Sequence, residues 1–218
     1  AGFGFDSFLP TAPIPDHYYD FEGGCGLDIG TPGGWGAACT SITPGAGSFN
    51  GTSLAPFLGT SFMVTSASQN VGSTFTISMW VNISGTCTGI CTLASNSQNL
   101  AASSGYRLYY NGGNGTLNFD TSNGSAITNA QTFPGPITTG TWHLVTVTVN
   151  AAATTALIYV DGGIASSTVF TANTFTKTGV IHFGEMSDGT VRFTGDMDDI
   201  RIFATELTPL DVLGIFLY

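Results

Sequence analysis

Short runs of alternating apolar and polar residues, separated by glycine-rich turns, dominate this sequence. In Trp142–Asn150, for example, Val145, Val147 and Val149 alternate with threonines. A period of two is the pattern of a β-strand that buries one face. Asn-Gly, Asp-Gly and Gly-Gly pairs, which favour tight hairpin turns, separate many of these runs. The chain is therefore predicted to be an all-β protein.

The pattern predicts eleven strands and one helix, arranged as a two-sheet antiparallel β-sandwich. The single helix is expected at the C-terminus, where Thr208 is a capping hydroxyl, Pro209 takes the first helical position and Asp211 the third. Residues 1–16 form an extended N-terminal arm and residues 17–218 one domain. The predicted strands are Ser61–Thr65, Thr74–Ile83, Cys91–Ser95, Tyr106–Tyr110, Gly115–Asp120, Trp142–Asn150, Ala156–Asp161, Gly163–Phe170, Val180–Phe183, Thr190–Thr194 and Met197–Phe203.

The segment Phe193–Phe203 reads Phe-Thr-Gly-Asp-Met-Asp-Asp-Ile-Arg-Ile-Phe and is followed by Leu-Thr-Pro-Leu-Asp. This ending resembles the closing strand and helical turn of laminin G-like jellyroll domains, in the concanavalin A-like lectin and glucanase group. Three further matches occur in the expected order. They are Tyr18–Gly23, Phe75–Val81 and Trp142–Val149, the last followed by Ile158–Gly162. The resemblance implies a jellyroll sandwich, but its family includes lectins, glycanases, adhesion modules and spacers, so the fold leaves the function open.

The same resemblance implies a structural calcium ion. Its acidic ligands would be Asp20, from the first matched strand, and Asp198, from the closing strand, with Asp199 as the second choice. Asp28 is an alternative partner from the first loop. Oxygen ligands of mixed origin suit Ca²⁺. The competing interpretation is a solvated cluster of acids at the end of a strand.

Four cysteines favour a disulfide framework and an oxidising compartment, although three pairings are open. The spacings fit zinc poorly, and we expect the local pairs, Cys25 with Cys39 and Cys87 with Cys91, because each closes a short loop that contains glycine. The protein is accordingly expected to be secreted or displayed at the cell surface. Four Asn-x-Ser/Thr sequons are candidate glycosylation sites in a suitable host: Asn50, Asn82, Asn114 and Asn123.

Charge and hydropathy exclude two classes of partner. The formal net charge of −10 opposes binding to nucleic acid and to anionic membranes. No apolar run approaches the roughly 20 residues of a membrane span, so membrane insertion is not expected.

The sequence does not predict an enzyme. A retaining glycosidase needs two carboxylates about 5 Å apart, usually on alternating positions of one strand. The three glutamates, Glu22, Glu185 and Glu206, do not form such a pattern. His143 is in phase with the valines of its strand, so we expect it on the buried face with locally satisfied ring nitrogens. Glycan hydrolysis therefore stays a remote alternative.

The arm suggests contact between copies of the protein. Phe3, Phe5, Phe8 and Leu9 make it apolar, and three prolines from Pro10 to Pro15 keep the following residues extended. The arm is expected either to cross its own sandwich or to dock on another copy.

The predicted function is that of a non-catalytic structural or interaction protein that self-associates into a filament or layer. The alternative is a calcium-dependent carbohydrate-binding adhesion module, with four aromatic residues considered for stacking on sugars. These residues are Trp35, Trp80, Tyr109 and Tyr110, and each could equally pack within a sheet.

Overall fold

A computed structural model describes residues 10–46, 53–66, 74–97, 102–150, 152, 154–169 and 179–218. These residues form fifteen strands and one helix. In chain order, the elements are β1 (His17–Tyr19), β2 (Ala37–Thr40), β3 (Gly45–Ala46), β4 (Ser53–Leu58), β5 (Phe62–Thr65), β6 (Thr74–Ile83), β7 (Ile90–Ser95), β8 (Ser104–Asn111), β9 (Thr116–Asn123), β10 (Ile127–Gln131), β11 (Trp142–Asn150), β12 (Thr155–Val160), β13 (Gly163–Val169), β14 (His182–Phe183), β15 (Thr194–Phe203) and α1 (Pro209–Leu217).

The strands form two antiparallel sheets, as the sequence predicts. The eight-stranded sheet has the order β13-β12-β11-β6-β15-β4-β3, and β1 pairs with the second half of β15. The seven-stranded sheet has the order β10-β9-β8-β7-β14-β5-β2. The fold is the predicted jellyroll-type sandwich.

The main core lies between the two sheets. It takes every second side chain from the long central strands, such as Val145, Val147 and Val149 of β11. Aromatic residues fill its centre, with Tyr106 packed between the rings of Phe75 and Phe119 at centroid distances of 5.3 and 5.8 Å. The alternation in the sequence therefore encodes this interface.

A second, smaller core lies on the outer face of the eight-stranded sheet, under α1. Trp80, Leu144, Tyr159 and Phe203 pack there against the buried face of the helix. The helix begins as predicted. The Thr208 side chain accepts a hydrogen bond from the Asp211 backbone N–H, and the Asp211 carboxylate accepts one from the Thr208 backbone N–H. This capping box fixes the first turn.

Some predicted strand limits are wrong. Thr190–Thr194 is not a strand, because only Thr194 belongs to β15, and Val180–Phe183 shortens to the two residues of β14. The sequence pattern also missed β1 to β4 and β10. All five are six residues or shorter, so their sequences show little periodicity of their own.

Both predicted disulfides are present in the fold, Cys25–Cys39 and Cys87–Cys91. The first joins the loop after β1 to β2, and so connects the two sheets at one edge.

Part of the predicted arm is described. Residues 10–16 cross the C-terminal part of the same chain: a Cβ atom at Gly214 would lie 2.7 Å from the Thr11 carbonyl oxygen, and the Asp16 carboxylate accepts a 2.7 Å hydrogen bond from the Ala204 N–H. The four apolar residues Phe3, Phe5, Phe8 and Leu9 lie outside the described residues. Within the described part of the chain, no helix has the length and hydropathy to cross a bilayer.

Candidate functional site

The acid cluster predicted from the sequence lies at a bulge in β15. The pairing of β15 with β6 shifts register between Asp198 and Arg201, and Asp199 adopts a left-handed backbone conformation with φ of 50°. The Asp199 carboxylate accepts hydrogen bonds from the Tyr18 hydroxyl and from Arg201 Nη2, the latter at 3.0 Å. The positive charge beside Asp199 is therefore that of Arg201.

Asp20 and Asp198 flank this ion pair. Asp198 is fully buried and accepts a 2.8 Å hydrogen bond from the Asp199 N–H. Burial raises the pKa of Tyr18; the Arg201 charge opposes this, while Asp199 and Asp20 add to it, which places Asp20 in the same neighbourhood. Among the described residues, no three His, Cys, Asp or Glu side chains converge on a common metal position. The predicted calcium site would have only two carboxylates, with backbone carbonyls as its other ligands. This observation therefore does not test it, and the calcium site stays a prediction.

Asp28, the alternative metal partner, has another role. Its carboxylate accepts hydrogen bonds from His17 Nδ1 at 2.7 Å and from the backbone N–H groups of Tyr18, Gly30 and Trp35 at 2.7–3.0 Å. Burial works to raise the pKa of Asp28, but these four donors lower it by more, so its pKa lies below the ordinary value. These four hydrogen bonds to Asp28 hold the loop between β1 and β2 in a fixed conformation.

The structure separates the four aromatic residues considered for sugar stacking. Trp35 stacks on His17 at a centroid distance of 3.2 Å, Trp80 lies under α1 and Tyr110 lies in the main core. Only Tyr109 lies on the outer face of the seven-stranded sheet, where its ring faces the guanidinium of Arg107 at 4.2 Å.

His143 lies near the start of β11, in phase with its valines and paired with the core residue Val81, but it is only half-buried there. Its ring nitrogens are satisfied locally, as expected, because Nδ1 bonds Asp161 at 2.8 Å and Nε2 accepts from the Thr138 N–H at 3.1 Å.

A line of polar residues crosses the outer face of the seven-stranded sheet. Strand register places Asn129, Asp120, Arg107, Ser95 and His182 next to one another on β10, β9, β8, β7 and β14. Neighbouring strands lie about 4.8 Å apart, so this line extends for about 19 Å. We call these five residues the outer-face row.

Hydrogen bonds fix one half of the outer-face row. Asp120 accepts from Arg107 Nη2 at 2.9 Å and from Asn129 Nδ2 at 2.5 Å. Asn129 Nδ2 also donates to Oδ1 of Asn118, which lies two residues before Asp120 on the same face of β9, at 3.4 Å. Burial, with the nearby charge of Asp120, raises the pKa of Tyr109 to about 12. This half of the row is a rigid array of donors and acceptors whose opposite charges cancel.

Residues 184–192, which follow β14, bond to the His182 end of the outer-face row. Glu185, which is almost fully buried, accepts a hydrogen bond from Arg192 Nε at 3.1 Å and bonds His182 Nδ1 at 3.2 Å. Arg107 Nη1 donates to the Met186 sulfur at 3.3 Å and so connects the two halves. Two of the chain's four basic residues therefore lie here, each paired with a carboxylate.

Sequence reasoning missed the outer-face row. Its five residues come from five strands and are brought together only by register, so no contiguous motif marks them. A weaker signal was available: Arg107 and Tyr109 alternate on β8, and Asn118 and Asp120 on β9, which places polar or charged residues on one face of each strand.

The predicted glycosylation sites differ in their settings. Asn114 is exposed in the turn between β8 and β9, and its side chain accepts a 2.7 Å hydrogen bond from Thr116 of its own sequon. Asn123 is also exposed, at the end of β9, whereas Asn82 is half-buried within β6. Asn50 lies outside the described residues.

Comparisons with known proteins agree with the fold. A laminin G family model, described as concanavalin A-like lectin/glucanases superfamily, matches residues 58–213, which is more than half of the chain. None of the curated proteins matches the sequence significantly.

Solved structures give the same picture at low sequence identity. Domain 4 of AbnA, a GH43 extracellular arabinanase from Geobacillus stearothermophilus solved in complex with arabinotriose, has a TM-score of 0.73 and 20% identity, covering 92% of this chain and 97% of that domain. The binding domains of botulinum neurotoxin serotypes G and D have TM-scores of 0.70 and 0.72 and identities of 15% and 16%. The matches cover 93% and 94% of this chain and 50% and 51% of those domains, so the chain spans about half their length. At these identities the likeness shows the fold alone.

The match to the family model carries the assignment: the chain belongs to the laminin G family of the concanavalin A-like lectin/glucanases superfamily.

Proposed function

We propose that the protein is a non-catalytic extracellular module that binds a neutral glycan on the outer face of the seven-stranded sheet. The observation that carries this proposal is the outer-face row, a line of hydrogen-bonding side chains across five strands. A saccharide needs such donors and acceptors for its hydroxyls, held in place before binding so that little ordering entropy is lost. Tyr109 lies beside them, with its ring packed against Arg107 and 8% of the residue exposed.

Charge and compartment support this choice of ligand. The two arginines are neutralised by Asp120 and Glu185, and the whole chain carries a formal net charge of −10, so an anionic ligand would be repelled. Two disulfides are typical of proteins that function outside the cytosol. The solved arabinanase domain of similar fold and size carries arabinotriose, which makes that oligosaccharide a reasonable first probe.

The same carboxylates support a role without catalysis. A glycosidase needs a general acid that is protonated near neutral pH, and such groups are found in apolar surroundings. Asp120 and Glu185 instead each contact an arginine within 3.1 Å.

Isothermal titration calorimetry with arabinotriose and a panel of neutral oligosaccharides tests the proposal. We expect Asp120→Asn to weaken binding at least tenfold, because the row loses the charge that orients Arg107. The matched control is Asp199→Asn, which alters an Asp–Arg pair of similar length, 3.0 Å, on the other sheet. Equal losses in both variants, or no saccharide binding by the wild type, would contradict the proposal.

We propose self-association through the arm as a second function. Large apolar side chains are exposed on residues 10–16 and on the helix they cross, with 78% of Ile14, 59% of Leu210 and 62% of Tyr218 accessible. An exposed apolar surface of this kind is typical of an interface between proteins. Because residues 10–16 contact their own chain, we propose that residues 1–9 of one copy dock on this apolar surface of another copy. Sedimentation velocity of a variant that lacks residues 1–9 tests this, and an unchanged oligomeric state would exclude it.

A calcium ion at Asp20 and Asp198, with Asp199 as the alternative, is the third element of the proposal. Its support is the matched family, the oxygen chemistry of the two acids and their location beside β1 and β15. It would tie the first strand of the domain to the last.

A further inference from the structure

A polar cleft of about 340 Å³ lies at the His182 end of the outer-face row. The neighbouring strand β14 is only two residues long. His182 and Phe183 pair with Ser95 and Ala94 of β7, and Ile181 continues the pairing of β14 with β5 by exchanging hydrogen bonds with Thr65. The cleft lies between Asn96 and Ser97, which follow β7, and Gly179 and Val180, which precede β14.

Hydroxyl and amide groups line the cleft. The polar residues among its described lining are Asn96, Ser97, Ser103, Ser104, His182 and Ser187. None of these side chains is a carboxylate, a lysine or an arginine. The floor is well ordered by its own bonds, since Asn96 Oδ1 accepts from the Tyr106 N–H at 2.8 Å and Ser95 Oγ donates to the Ser97 carbonyl at 2.9 Å.

His182 presents one ring nitrogen to this cleft. Its Nδ1 meets the Glu185 carboxylate, which is itself held by Arg192 and has only 3% of its side chain accessible. A carboxylate only accepts hydrogen bonds, so Nδ1 carries a proton, and in the tautomer that this contact selects Nε2 is an acceptor. No described residue donates to Nε2. The buried Glu185 thus orients the His182 ring in a cleft whose other described polar side chains are one amide and four hydroxyls.

We infer that this cleft binds a single neutral sugar unit at the end of the glycan, and that His182 Nε2 accepts a hydrogen bond from one of its hydroxyls. The inference rests on the proposed glycan-binding function and assigns one subsite of it. The cleft is at the small end of the range for ligand pockets, which suits one sugar ring rather than a longer chain. The absence of acidic and basic residues from the described lining, together with the acidic chain, favours neutral over uronic or sulfated sugars.

Two substitutions test the subsite without removing Glu185 or Arg192. His182→Asn keeps a donor near the position of Nδ1 but removes the acceptor at Nε2, and Ser187→Tyr fills the cleft with a larger side chain. We expect both to reduce the binding of arabinotriose at least tenfold in calorimetry. In saturation-transfer NMR, both should abolish the signal of the methyl glycosides of arabinose, galactose, glucose and mannose that bind the wild type.

His143→Asn is the matched control, because His143 also pairs Nδ1 with a carboxylate but lies in a different part of the sandwich, and we expect it to bind as the wild type does. Thermal unfolding of each variant shows whether it is folded. If both cleft variants are folded and bind normally while Asp120→Asn does not, the subsite is wrong and the cleft holds only water, but the proposed function survives. If the wild type binds no saccharide, both are wrong.

Discussion

The two sheets of this sandwich use their outer faces in opposite ways. Under α1, the outer face of the eight-stranded sheet is apolar, and Trp80, Leu144 and Phe203 are buried by the helix. On the seven-stranded sheet, the corresponding face carries the outer-face row, and the helix packs on the other sheet. The helix-covered face is buried by apolar packing, whereas on the other face opposite charges pair, Asn129 is exposed, and Arg107 and His182 are partly accessible.

This difference separates stability from recognition. Apolar packing under a helix stabilises the fold but offers a ligand no specific partner. A paired polar network contributes little net stability, because desolvation offsets much of the gain, yet it fixes donors and acceptors in defined positions. We therefore assign the helix-covered face to stability and the row to binding, and the predictions below test that division from the largest effect to the smallest.

Removal of the indole under the helix should give the largest loss of stability. Trp80 is 4% exposed and its ring lies 5.8 Å from that of Phe216. Trp80→Ala should lower the free energy of unfolding by about 3–5 kcal/mol, as for other large aromatic residues in cores. Urea unfolding measures it. Phe133→Ala, at a residue 84% exposed, is the control and should change little; a similar loss in both variants would contradict the assignment.

The disulfide that joins the sheets should have the next largest effect. The Cys25–Cys39 loop spans a sequence separation of 14, against 4 for Cys87–Cys91. Chain-entropy estimates give about 3 kcal/mol for a loop of the first size and about 2 kcal/mol for the second. Unfolding of the variants Cys25→Ser/Cys39→Ser and Cys87→Ser/Cys91→Ser should show this order, and non-reducing peptide mapping should recover both pairs from the wild type. The reverse order would mean that strain or residual structure outweighs loop length.

Asp28 should make the loop between the sheets sensitive to acid. Because its folded pKa lies below the ordinary value of 3.8, its contribution to stability is fully present above about pH 5 and is lost as the pH falls through the folded pKa. Asp28→Asn should cost about 1–3 kcal/mol at neutral pH, since two of the four donors would then face an amide NH2 group instead of an acceptor oxygen.

Unfolding of this variant should also vary less with pH between pH 5 and pH 2 than that of the wild type. The exposed Asp188→Asn should retain the wild-type profile. An unchanged acid dependence in Asp28→Asn would show that other carboxylates dominate.

Calcium should have the smallest effect and should act on the eight-stranded sheet alone. At ten times the dissociation constant, a ligand that binds only the folded state stabilises it by about 1.4 kcal/mol. Chelation should therefore lower the melting temperature of the wild type but not that of Asp20→Asn or Asp198→Asn. Saccharide binding at the row should be unaffected by chelation. Identical melting of the wild type with calcium and with chelator would leave only an acid cluster.

The sequence predicted the parts of the molecule that are encoded locally. The long strands β6 and β11, the capping box at Thr208, both disulfides and the family follow from contiguous patterns. The short strands were missed because their pairing depends on distant neighbours. The outer-face row was missed for the same reason: Asp120 and His182 are 62 positions apart (182 minus 120) and join one line only through the register of three strand pairs.

Chemical-shift mapping with a bound saccharide tests the central claim most directly. Backbone amide spectra of the labelled protein, recorded with increasing arabinotriose or with the best neutral oligosaccharide from the panel, report which face the ligand contacts. We predict that the largest chemical-shift changes occur at the amides of Ser95, Arg107, Asp120 and His182, and that the amide resonances of α1 and of Asp198 do not change. Shifts confined to the helix, the arm or the acid cluster would contradict the assignment of the seven-stranded sheet as the binding face.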